Sequence, residues 1–155
     1  MITKRFRSVI FTILLLLGAE GLFANYAFYR IVTNTCKAYR ITVRDGEMYF
    51  GKGENNSDKF YLSVNSNRNN FEMALIVGFV SVGQAIKHQR SLVKKGLIEK
   101  SEEPTTAHIT VFVPVTRHKM IITASATADQ VVKLANGKID SAEFMRLIKN
   151  SMVTL

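Results

Sequence analysis

Apolar and polar positions change period several times along the chain, and each change marks an element. Val9 to Leu17 is an almost uninterrupted apolar run, and apolar residues continue through Phe23, Tyr26, Phe28 and Tyr29. After Arg30 the pattern turns to short alternating runs. Tyr39–Arg44 (YRITVR) alternates and is rich in β-branched residues, and Glu47–Phe50 (EMYF) follows directly after Asp45-Gly46. Asp-Gly between two such runs predicts a tight hairpin, because a type I′ turn needs positive φ at both central positions. The polar stretch GKGENNSD (51–58) reads as a loop, Lys59–Val64 as a third strand, and NSNRNN (65–70) as a second loop.

Met73 to Ile86 is apolar apart from Ser81 and Gln84, and the tail Lys87–Lys95 is basic. This predicts a helix buried in its first half, emerging toward a basic end and stopped by Gly96. A second membrane span is the alternative, but a fourteen-residue apolar helix reaches only about 21 Å, against a hydrocarbon core of about 30 Å. Gly78 and Gly83 in this helix would let a neighbouring backbone approach closely. Beyond the SEEPTT linker (101–106), His108–Thr116 and Lys119–Ala126 predict a second hairpin about Arg117 and His118. Pro114 has no N–H to give a ladder, which predicts an edge strand or a bulge there. Ala128–Ala135 and Ser141–Met152 carry helical periodicity.

The expected fold class is therefore α+β: an N-terminal hydrophobic helix, then a small antiparallel-sheet domain of order β-β-β-α-β-β-α-α, covered mainly on one face. The expected organisation is a targeting or anchoring segment at 1–29 and a domain at 30–155.

The amino terminus has the grammar of an export signal. Lys4, Arg5 and Arg7 precede the apolar run, and Ala19-Glu20-Gly21 offers small residues at a cleavage site. The basic residues would stay at the anionic cytoplasmic face while the apolar helix enters the bilayer. An uncleaved anchor is the competing reading: Val9 to Tyr29 is 21 residues, enough to span, with Phe23, Tyr26, Phe28 and Tyr29 at the far interface. Glu20 near the bilayer centre would cost about 2–3 kcal/mol. A buried helix of a soluble protein is the third. The first two place the domain outside the cytoplasm, periplasmic or extracellular.

Composition narrows the classes. In 155 residues, 47% apolar and 21% charged describes a globular chain of about one domain rather than a disordered one. The formal charge of +9 invites polyanions. Its spread from Lys4 to Lys149 does not draw a nucleic-acid groove, so a nucleic-acid partner is not expected. The densest group in the domain, Lys87, Arg90, Lys94 and Lys95, is the candidate contact for an anionic surface. The single cysteine, Cys36, excludes an intrachain disulfide; it reads as a small core residue or, in an oxidising compartment, as an intermolecular disulfide.

Residues 133–144, KLANGKIDSAEF, imitate the second half of an EF-hand loop. With Gly137 at position 6, Asp140 stands at 9 and Glu143 at 12, but positions 1 and 3 fall on Val132 and Leu134. A hard cation needs oxygen there. The same residues read as a helix stop at Asn136-Gly137, a packing residue Ile139, a helix cap at Asp140 with Glu143 completing it, and a core stripe Phe144, Leu147, Ile148. His88, His108 and His118 lack metal-ligand spacing, there is no GxSxG elbow, and GKGENNSD is not a phosphate loop. No catalytic, cofactor-binding or metal-binding residue is assigned, and no cofactor is expected. The sequence points to an exported or membrane-anchored binding or assembly module, non-catalytic, held to the membrane by its N-terminal segment and docking a protein of a membrane-associated assembly. The alternatives are a basic protein that binds a membrane surface or envelope polymer, and a small exported enzyme whose site is assembled from distant residues.

Overall fold

A computed structural model of the protein describes residues 25–53, 58–67, 69–115 and 119–155. The apolar run Val9–Leu17, the tip of the 51–58 loop and the Arg117/His118 turn lie outside the described residues. Helix α1 covers residues 25–38. It is followed by β1 (Thr42–Lys52), β2 (Asp58–Asn65), α2 (Phe71–Lys94), β3 (Thr106–Pro114), β4 (Lys119–Thr127), α3 (Ala128–Ala135) and α4 (Ser141–Ile148). A 3-10 turn at Lys149–Ser151 leads into a two-residue strand, β5 (Val153–Thr154).

The class is α+β; the described residues form four helices and a five-stranded sheet of order β1-β2-β3-β4-β5. The expected all-antiparallel sheet is corrected to a mixed one. β2 and β3 run parallel, joined by α2 as a crossover, while the other neighbours are antiparallel. The expected three strands before α2 are corrected to two. Asp45-Gly46 does not turn the chain back; it sits inside β1, with Gly46 at φ +71°. Val43 pairs with Val64 and Met48 with Leu62, so residues 44–47 bulge opposite Ser63 alone. β2 is long enough to pair with both flanks, and that shared ladder overrides the local turn preference.

Pro114 is likewise not on an edge. It ends β3, a central strand, beyond the last β2 partner at Asn65↔Phe112, so on that side its missing N–H interrupts no ladder. β5 is too short to leave a periodic signal.

The core lies between one face of the sheet and the helices. Phe60, Leu62 and Val64 of β2, Ala107, Ile109, Val111 and Val113 of β3, and Ile122, Ala124 and Ala126 of β4 are its floor. Phe28, Val32 and Cys36 of α1, at helical spacing, cover one side. Phe28 packs ring centroids 4.9–5.0 Å from Phe60 and Phe50. The folded unit thus includes residues 25–29, and the division expected at 29/30 falls within α1. Arg40, at φ +58°, ends this helix: the Ile41 N–H returns to the Cys36 carbonyl at 2.9 Å and the Arg40 N–H to Lys37 at 3.0 Å.

α2 is apolar nearly all round because it has neighbours on several sides. Gly78 lies over Ile109 of the sheet, Ser81 faces Cys36 of α1, and Gly83 lies against Val131 and Ala135 of α3. Among the described residues no helix is long and apolar enough to cross a membrane.

The α3–α4 connection follows the helix-stop reading. Gly137 stands at φ +67°, the Lys138 N–H reaches the Lys133 carbonyl at 2.9 Å, and Asp140 accepts the Glu143 N–H at 2.7 Å. Two details differ. The reciprocal capping box forms at Thr127/Gln130, where Gln130 returns a bond to the Thr127 N–H at 2.9 Å. Leu147 is exposed rather than part of the core stripe, which is carried by Phe144 and Ile148.

Candidate docking surface

Strand alternation sends a second set of side chains to the face of the sheet away from the core. Tyr49, Tyr61, His108 and Ser125 form one row across β1 to β4. Ser63, Thr110 and Thr123 form the next, and Asn65, Phe112 and Ile121 the one after. No described helix covers this face. The core residues of all four helices belong to the opposite one.

The first row is a ladder of stacked rings. Tyr49 and Tyr61 lie with centroids 5.0 Å apart at 18°, and Tyr61 and His108 4.9 Å apart at 15°. Side chains opposite one another on a sheet stand within contact distance, so three planar groups in register stack on each other. The π faces of Tyr61 are therefore used internally, and the row presents ring edges and hydroxyls outward. His108 Nε2 is buried and has no hydrogen-bond partner among the described residues. Burial, and secondarily the charge of Lys59, hold its pKa below the ordinary imidazole value.

Arg44 anchors the other end of the face. Its guanidinium carbon lies 4.0 Å from the Phe112 ring centroid, and its Nε donates to Glu47 at 3.0 Å across the β1 bulge. A hydrogen bond from Ser63, then Arg44, lower the pKa of Glu47. Arg44 also borders two concavities at the rim. A cleft of about 380 Å³ between the end of α1 and the bulge is floored by Ile41, Val43 and Met48, with Lys37 and Asp45 at its mouth. A groove of about 190 Å³ beside it is lined by Asn65, Phe112, Pro114 and Lys119.

The structure separates the four basic residues singled out in the sequence. Arg90 is engaged by Glu103 through a forked pair at 2.8–3.2 Å. Burial alone would raise the Glu103 carboxyl, but hydrogen bonds from Arg90 and Ser101 outweigh it and hold the pKa below the usual range. Lys87 is half-buried, while Lys94 and Lys95 stand exposed at the end of α2. His88 lines a small cavity with Tyr26 and Arg30 of α1, and His118 is outside the described residues. Among the described residues no three His, Cys, Asp or Glu side chains are grouped to hold a metal. Cys36 is fully buried, and burial raises its thiol pKa, partly offset by Ser81. A thiol so placed is not presented for the intermolecular disulfide considered from sequence.

Sequence reading missed the ring ladder and the Arg44–Phe112 contact. Its only signal was the alternation of Tyr49, Tyr61, His108 and Phe112 with core residues, which identifies a face but not which strands lie side by side. Comparison with known proteins finds no matching family model, no matching curated protein and no matching solved structure.

Proposed function

We propose that the chain is an exported or membrane-anchored binding module, and that it docks a protein of a membrane-associated assembly on the open face of its sheet. One observation carries this reading: a five-stranded sheet with its helices on one side and, on the other, a ring ladder and an Arg–aromatic pair that no described helix covers. Tyrosine and arginine give large contact area with a polar edge, the composition that concentrates binding energy in protein interfaces. Both π faces of Tyr61, at the centre of the row, are taken by its neighbours, which weighs against base stacking there. Lys59 and Lys119 on or beside the face favour a partner with acidic groups at its rim. The apolar run Val9–Leu17 behind Lys4, Arg5 and Arg7 supports the location at or beyond a membrane.

Site-specific photocrosslinking in intact cells that make the protein tests the docking face. A photoreactive residue at Thr110, the centre of the face, should yield a discrete protein adduct that Tyr61→Ala abolishes. The same probe at Lys138, on the α3–α4 turn, should yield none. Equal adducts at both positions, or none at Thr110, would sink the reading.

A further inference from the structure

The end of the domain that holds the first described residues of α1 has the make-up of a membrane-contact surface. Tyr26, in the first described turn of α1, is 63% exposed, and Leu97 beyond the end of α2 is 62% exposed. They belong to one end of the molecule: Ala27 packs with Leu92, Val93 and Ile98, and Tyr26, Ala27 and Arg30 share a small cavity with His88 and Leu92. The turn that carries Leu97 is held in place. Gly96 stands at φ +69°, its N–H meets the Val93 carbonyl at 2.9 Å, and the Leu97 N–H meets Leu92 at 3.0 Å. Near these two apolar side chains in the chain Arg30, Lys94, Lys95 and Lys100 are exposed; of the acids there, Glu99 is exposed, Glu102 is half-buried and Glu103 is engaged by Arg90, so the cations remain in excess.

The length of chain before α1 selects the occupant. Only seventeen residues separate Arg7 from Asn25, near the lower limit for a helix that crosses a bilayer. Phe28 is held in the core and cannot also serve the membrane, so a retained anchor would reach the folded domain with no linker. We infer that this end of the domain, with Tyr26 and Leu97 as apolar contacts and Arg30, Lys94, Lys95 and Lys100 as cations, rests on an anionic lipid surface. The inference deepens the proposed function and depends on the anchor being retained. Exposed aromatic and aliphatic side chains enter the interfacial region while lysines and arginines beside them meet the headgroups. The β1 bulge and its cleft, at the far end of α1 about 20 Å away, then face outward from the membrane.

The test uses the full chain reconstituted into vesicles of phosphatidylcholine alone or of phosphatidylcholine with phosphatidylglycerol. An environment-sensitive dye is attached at Leu97→Cys or, as control, at Thr42→Cys beside the distal cleft; buried Cys36 is shielded from the reagent. A lipid-borne quencher should act on the dye at 97 about twofold or more strongly in the anionic vesicles than in the neutral ones. Lys94→Glu with Lys95→Glu should erase that difference, and the dye at 42 should remain unquenched. Protein that floats with the vesicles but shows equal quenching at 97 and 42 overturns this inference alone. Protein that does not float overturns the anchor reading and this inference with it.

Discussion

Individual atoms set the limits on what this chain tolerates. A Cβ added at Gly83 would overlap the Val131 carbonyl oxygen and come within 2.7 Å of Ala135 Cβ, so the obstacle is α3 backbone that cannot swing away. A Cβ at Gly78 meets the Ile109 Cγ2 at 2.7 Å, a branch one bond from the Cβ of a fully buried side chain, so Ile109 must shift although no backbone stands in the way. Alanine gains about 1 kcal/mol of helix propensity at either site. Gly83→Ala should nevertheless lose about 2–3 kcal/mol in urea unfolding, and Gly78→Ala less, about 1–2 kcal/mol. Equal losses would mean that α3 is not fixed against α2. His108 makes a pH prediction. Its folded pKa lies below the unfolded value of 6.5, so the unfolded chain takes up the proton first as pH falls. The stability contributed by neutral His108 is present above that unfolded value and is lost progressively as pH drops toward the folded pKa. His108→Gln should flatten the stability profile in that window, measured as the denaturation midpoint against pH. An unchanged slope would remove the buried-imidazole account. Glu47 and Glu103, both depressed, act in the same direction but from their unfolded value of 4.5 downward.

Elements show which local signals survive packing. α3 starts and stops, and α4 starts, where their caps stand, because a cap is a contact between residues close in the chain and is present before the fold is; α4 has no such stop and passes at Ile148 into the 3-10 turn, short of the expected Met152. β1 shows the reverse: Asp45-Gly46 has the chemistry of a turn and is used as a bulge. α1 has two roles, since its buried side packs on Phe50 and Phe60 while its first described turn carries Tyr26 at the surface. A chain beginning at Asn25 should therefore fold, whereas one beginning at Ile31 loses Phe28 and Tyr29. Removing a buried Phe side chain typically costs about 3–5 kcal/mol, a large part of the 5–15 kcal/mol that holds a small domain together. Circular dichroism melts of the two chains decide it: a cooperative transition of equal midpoint in both would show that α1's first turns contribute nothing to the core.

For the molecule as a whole, what was legible in the sequence is what depends on near neighbours. The α+β class, the helix over the 73–86 run, the second hairpin, the close approach at Gly78 and Gly83, and the reading of KLANGKIDSAEF as stop and cap all follow from period, turn chemistry and ligand type. What only the tertiary structure decided depends on residues far apart in the chain. The parallel β2–β3 pair, the shared ladder that absorbed Asp45-Gly46, and the closeness of Tyr26 and Ala27 of α1 to the end of α2 are of this kind. So is the docking face, where Tyr49, Tyr61 and His108 meet across three strands. The physical reason is the same in each case: alternation along a strand states which face a side chain takes, but the ring beside it is chosen by strand order and register, and those are settled only when the whole core packs.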